Sequence, residues 1–134
     1  MHTKKIFAIL TLNFLILSCG KSNSADSFCE TDSCGYCSPE RVGLKVCSFI
    51  ATPTASESVT LKNYTDASIN LNNYTLWDSN AYGNGTGEKT LSSSDIISAG
   101  GTLTYGSLPF VINDSGETIY LKDASGVLVH SRSN

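Results

Sequence analysis

Residues 116–129 read Gly-Glu-Thr-Ile-Tyr-Leu-Lys-Asp-Ala-Ser-Gly-Val-Leu-Val. Ile119 and Leu121 alternate with Tyr120 and Lys122, the period of a strand with one buried face. Asp123-Ala124-Ser125-Gly126 supplies the residue types of a tight turn, and Val127 and Val129 then alternate with Leu128. Strand, turn and strand predict a terminal hairpin. A hairpin with one apolar side must bury that side against a second layer.

Upstream residues offer that layer. Val42, Leu44, Val46, Ser48 and Ile50 fall on one face of a strand, with Gly43, Lys45, Cys47 and Phe49 on the other. Val59 and Leu61 share a face, as do Ile69 and Leu71 before Asn72-Asn73 and Tyr74 and Leu76 after it. Leu103 and Tyr105 alternate with Thr102 and Thr104, and Asn113-Asp114-Ser115-Gly116 marks a further turn. No stretch sustains a 3.6-residue apolar period over three turns. Ser, Thr, Asn and Gly make up 54 of the 134 residues, a composition that disfavours helix. With 9 Lys and Arg against 12 Asp and Glu the net charge is −3, which excludes a basic nucleic-acid footprint. About seven short strands within residues 41–134 predict an all-β sandwich. Val59, Leu61, Leu71, Leu76, Leu103, Ile119 and Leu121 are its expected core.

The order of these segments resembles the lamin tail domain, an immunoglobulin-like module. Glu57-Ser-Val-Thr-Leu-Lys-Asn63 is similar to its "E-W-V-E-L-Y-N" strand, with Ser58 in place of Trp. Ile69-Asn-Leu71-Asn-Asn-Tyr74-Thr-Leu76 resembles "v-d-L-s-G-W-t-L", with Tyr74 where the family has Trp. Ile97-Ser-Ala-Gly100-Gly101-Thr-Leu103 is similar to "L-a-P-G-g-y-v", with Ala99 for Pro, and residues 116–129 match "G-d-t-V-r-L-y-D-a-n-G-n-l-V" at seven spaced positions. The resemblance spans about residues 42–131 and implies an immunoglobulin-like fold. Bacterial members are usually appended to secreted or envelope proteins, some of them hydrolases, as adhesion or localisation modules. No enzyme domain is expected here, because the segment ahead of the sandwich is too short to be one.

The first residues predict an address. Lys4 and Lys5 precede the apolar run Ile6 to Leu17, which spans ~18 Å as a helix against a bilayer core of ~30 Å, so it suits a signal peptide. Leu15-Ile16-Leu17-Ser18-Cys19-Gly20 resembles a bacterial lipobox, with Leu17 bulkier than usual. The expected organisation is a lipoprotein signal peptide over 1–18, a lipidated Cys19 with a polar tether over 19–28, a Cys-rich segment over 29–40, and the sandwich over 41–134. A diacyl or triacyl, palmitate-type anchor would hold the protein in the membrane, where a single chain binds reversibly. Gly20 after the cysteine favours the outer membrane by the same resemblance. The mature chain would carry a net charge of −5.

Five cysteines is an odd count for an exported protein, and lipidation of Cys19 leaves an even set: Cys29, Cys34, Cys37 and Cys47. Structural disulfides are favoured there. Only Cys34-Gly35-Tyr36-Cys37 has the spacing of a zinc knuckle or a redox pair, with no second knuckle and no predicted helix to lower a thiol pKa. Every complete pairing of the four includes Cys47, which is expected to staple the segment across the outside of the sandwich. His130 is the one mature histidine, reads as a strand residue at the domain edge, and leaves no catalytic triad and no paired metal ligands. No catalytic residue, metal or cofactor is expected.

Trp77, Asp78, Asn80, Tyr82, Asn84 and Glu88 form the candidate binding loop. Its oxygens at alternate positions are faintly similar to an EF-hand, but Tyr82 replaces a donor and Glu88 falls one position early, so a flexible, glycine-rich inter-strand loop, of the kind that often carries recognition, is the plainer reading and weak calcium binding the alternative. Trp77 either contacts a partner or covers the sandwich edge. Asn63, Asn73, Asn84 and Asn113 each satisfy the glycosylation pattern, as turn asparagines beside Thr or Ser often do. The expected function is a lipid-anchored bacterial envelope protein with a non-catalytic binding or structural module and an unidentified protein or envelope partner. The alternatives are an accessory subunit of an enzyme, or a metal-dependent or thiol-redox activity.

Overall fold

A computed structural model describes residues 31–37 and 40–134. The predicted signal peptide and tether, with Cys19 and Cys29, lie outside the described residues. Among the described residues nine strands form three antiparallel sheets: β1 (Leu44–Ile50), β2 (Ser58–Asn63), β3 (Ile69–Asn70), β4 (Thr75–Trp77), β5 (Lys89–Thr90), β6 (Ile96–Ile97), β7 (Thr102–Tyr105), β8 (Thr118–Lys122) and β9 (Leu128–Ser133). The sheet orders are β1-β2-β7, β3-β6 and β5-β4-β8-β9. This is the all-β, immunoglobulin-like sandwich expected, with one short helix, α1 (Ser79–Asn84), inside the segment read as a loop.

One core joins the sheets. Val59 and Leu61 of β2, Leu76 of β4, and Ile119 and Leu121 of β8 are fully buried, together with Leu71. Leu103, also expected inside, is half-buried and packs against this cluster. Leu76 pairs with Leu121 and Leu61 with Leu103, so each apolar stripe continues across its sheet.

Asn63 ends the buried stripe of β2 and is itself 0% exposed. A buried amide is tolerated when its donors and acceptor are engaged. Its Nδ2 donates to the carbonyls of Ala67, Ile97 and Ser98, and its Oδ1 accepts from the Thr65 N–H and hydroxyl. The Asn63 N–H reaches Gly101 O, where Gly100 has φ +67° and a Cβ on Gly101 would stand 3.1 Å from Ser98 O. Asn63 thus binds two turns to the end of β2 and is closed to modification.

Strict alternation fails in β1. The β1–β2 register runs Val46 to Leu61, then Ser48 to Thr60 and Phe49 to Val59, leaving Cys47 as the extra residue of a bulge. Beyond it the phase inverts: Phe49 joins the core, and Ile50 is exposed, as is Val42 ahead of the strand. The expected grouping of Val42, Leu44, Val46, Ser48 and Ile50 on one face is therefore corrected. The terminal hairpin differs too. Its register steps from Leu121–His130 to Lys122–Leu128, so Val129 is an extra residue, and Val127, Leu128 and Val129 are all exposed. The positions opposite Leu121 and Ile119, which share their face, are His130 and Arg132.

Leu121→Ala should cost about 2–5 kcal/mol, a large part of the roughly 5–15 kcal/mol typical of a domain. Leu128→Ala, at an exposed position of β9, should stay within about 0.5 kcal/mol. Equilibrium urea denaturation reads both, and a loss under about 1 kcal/mol at Leu121 would contradict its burial.

Candidate functional site

Two constellations concentrate the polar and aromatic chemistry of the molecule. In the first, residues 31–37 lie against β1 and β9. Cys34 is disulfide-bonded to Cys47, with Cα atoms 4.7 Å apart. Cys37 is disulfide-bonded as well. Cys47 faces this segment from the outer side of β1, and the bulge at its position brings Phe49 back onto the core side.

Tyr36 is the centre of the contact. Its hydroxyl donates to Val46 O at 2.6 Å and stands 3.4 Å from His130 Nε2. His130 Nδ1 accepts from the Val46 N–H at 3.3 Å. The proton therefore sits on Nε2, where it faces the Tyr36 oxygen, and the three groups form a closed circuit. Lys45 and Arg132 lie over the Tyr36 ring at 5.0 and 5.3 Å, and Tyr64 and His130 meet it edge-on. Arg132 Nη1 also donates to Cys34 O at 2.7 Å. Burial, with the neighbouring cations Lys45 and Arg132, pushes the His130 pKa down to about 4.

Asp32 secures the start of the segment. Its carboxylate accepts from the Tyr64 hydroxyl and from the N–H groups of Cys34 and Tyr36, with Arg41 Nε 3.8 Å away. Led by the Tyr64 hydrogen bond, these contacts hold Asp32 below the ordinary aspartate value, and burial and Asp32 push Tyr64 up.

The second constellation surrounds α1. Asp78 accepts from the Ala81 N–H through Oδ1 at 2.7 Å, and Gly85, at φ 72°, closes the C-terminus through its N–H to Ala81 O. Those are helix-cap residues at each end, so residues 79–84 coil despite being too few to show a period. Asp78, only 3% exposed, is thereby a structural cap rather than a projecting ligand, and the alternating donors of a calcium loop are not laid out. Glu117, 0% exposed, holds the helix to the sheet. It accepts from the N–H groups of Ser79, Thr118 and Asn113 and from the Asn113 amide. Burial alone would raise its pKa; these bonds outweigh that and keep it below the ordinary glutamate value.

On the sheet side of α1, Tyr82 stacks on Tyr120 with ring centroids 4.0 Å apart and meets Trp77 edge-on at 6.4 Å. Lys122 Nζ sits 4.7 Å from the Trp77 centroid and 4.5 Å from that of Tyr82. Trp77 Nε1 donates to Thr75 Oγ1, which leaves the half-buried indole on the outer face of the sheet, opposite Leu76. On the other flank a groove of about 380 Å³ opens between the helix and residues 109–113.

Of the candidate loop residues, Trp77 and Tyr82 come together, Asn80 and Asn84 face the groove, and Glu88 lies past the helix just before β5. Sequence reading missed Tyr36, Glu117, Tyr120 and Lys122. The outward phase of β8 signals Tyr120 and Lys122, and nothing local signals Tyr36. Among the described residues no group of three or more His, Cys, Asp or Glu is placed to hold a metal ion.

An immunoglobulin-like sandwich with this strand order and a buried Asn63 at the end of β2 defines an all-β module. The chain belongs to the lamin tail domain family, whose model matches residues 41–134. That domain is a non-enzymatic immunoglobulin-like fold. No curated protein matches the chain.

Replacing Cys34 and Cys47 together by Ser should cost about 3 kcal/mol in the chain-entropy model, measured by urea denaturation. His130 adds a pH dependence. Its folded pKa of about 4 lies below the ordinary 6.5, so the unfolded chain binds the proton first. Its contribution is complete above about pH 6.5 and is lost as pH falls toward 4. Asp32 and Glu117, held below ordinary values of 3.8 and 4.5, add their losses only at the acidic end. The melting temperature should therefore already fall between pH 6.5 and 5, and His130→Gln should flatten that part of the profile.

Proposed function

We propose that this protein is a lipid-anchored component of a bacterial envelope, probed from the outer membrane by a non-catalytic binding module whose contact surface is the α1 face. One observation carries the reading. Among the described residues, four side chains with catalytic potential are engaged in structure: His130 in the Val46–Tyr36 circuit, Asp32 on Tyr64, Glu117 on three N–H groups, and Cys34 in a disulfide. By contrast Tyr82 is 37% exposed on a stack of aromatic rings beside an open groove. Exposed aromatics on a rigid support are a favoured composition for contact sites. The lipobox-like Leu15 to Cys19 supports the anchor, and the polar residues after it would serve as a tether of up to ~30 Å.

Cys19→Ala should move the protein from the membrane fraction to a soluble or unprocessed form. Processed, unmutated protein found in the soluble fraction would overturn the anchor. Tyr82→Ala should abolish capture of a partner from envelope extracts while the melting temperature moves by only a few degrees. Undiminished capture would remove α1 as the contact surface.

A further inference from the structure

The groove on the far flank of α1 has an unusual composition for this molecule. Asn80 and Asn84 stand four residues apart on the same side of the helix. Neither side-chain amide makes a hydrogen bond among the described residues. Elsewhere Asn63, Asn70, Asn113 and Asn134 use their side chains to hold turns and strand ends, while Asn72 and Asn73, exposed on a turn, border no groove. Thr86 adds a hydroxyl with no side-chain hydrogen bond, and Pro109, Phe110 and Val111 form the opposite wall. At about 380 Å³ the space falls in the range of small-ligand sites.

The lining selects the ligand. Among the described residues no Lys, Arg or His borders the groove and the charged group that does is the Asp78 carboxylate, so nothing there neutralises a phosphate or carboxylate. None of its residues belongs to a strand, so there is no open sheet edge for an extended peptide to join. What is offered is paired amides, each both donor and acceptor, facing an apolar wall. Vicinal hydroxyls on a ring with an apolar C–H face match that arrangement. We propose that the groove is a subsite for a neutral saccharide, with Asn80 and Asn84 bonding its hydroxyls and Pro109 and Val111 contacting its C–H face. This deepens the binding-module reading and rests on it.

The test titrates chitotriose, maltotriose, an anionic trigalacturonate and an uncharged hexapeptide into the isotopically labelled protein. Side-chain amide resonances of Asn80 and Asn84 and the fluorescence of Trp77, the only tryptophan, are the readouts. A neutral trisaccharide should shift both amides saturably. The double variant Asn80→Ala with Asn84→Ala should weaken it at least tenfold, and Asn72→Ala, on an exposed turn, should leave it unchanged. A melting temperature equal to that of the unmutated protein shows that the double variant is folded. Absence of any shift with both neutral sugars, or equal binding by the double variant, overturns the proposal. Shifts produced by the peptide or the anionic sugar alone overturn it as well, while leaving a binding module at α1 intact. Undiminished envelope capture by Tyr82→Ala, with the sugar still bound, would instead overturn the protein-contact reading alone.

Discussion

Because Cys47 has no partner on β2, Val46 and Phe49 on either side of it both face the core, and the Cys47 sulfur is left on the outside of the sheet. The disulfide to Cys34 then fixes where residues 31–37 lie, and that position decides how β9 can be built. His130 and Arg132 occupy the inward phase of β9, where two polar side chains would ordinarily be unfavourable. They are accepted because Tyr36, the Cys34 carbonyl and the Val46 N–H meet them. A single inserted residue, a covalent bond and a polar strand face are thus one arrangement. None of the three makes physical sense without the other two.

How far the sequence disclosed this depends on the range of each interaction. The stripe Val59, Leu61 and the pair Ile119, Leu121 were legible because burial repeats every second residue and the strands are unbroken there. The bulge was not, since Cys47 continues the alternation as well as any outward residue, and only pairing with β2 exposes the shift. The same holds for β9, whose apolar Val127 and Val129 invite the inward assignment that His130 and Arg132 take. Helix α1 was hidden by its length of six residues, although Asp78 and Gly85 bracket it with the side-chain and backbone properties that caps require. Within the candidate loop the edge-on meeting of Trp77 and Tyr82 was not legible, since it is made through α1. Nor was the capping role of Asp78, because whether a carboxylate projects or turns back onto its own helix is settled by three residues of local geometry.

The two constellations treat polar groups in opposite ways. Around Tyr36 nearly every donor meets an acceptor, and the groups that titrate are displaced from their ordinary values by the contacts they make. Around α1 the buried members, Asp78 and Glu117, are saturated in the same manner, yet they hold up a surface whose outer members are not. Rigid support beneath unengaged side chains is the condition under which a surface can bind without first reorganising. The saturated constellation accordingly lies at the β9 edge of the four-stranded sheet, and the unengaged one lies over β4 and β8 in its interior.

The capping of Val46 has a further consequence for solubility. β1 is an edge strand of the three-stranded sheet and β9 of the four-stranded one, and the terminal strand of a sheet is a template on which another chain can add. Here the outward N–H and C=O of Val46 are occupied by an imidazole and a phenol, with the segment 31–37 covalently held over them. Side chains cannot propagate a ladder as a strand would. The clamp thus acts as a terminator of the β1 edge, set against the addition of a strand from another copy of the chain.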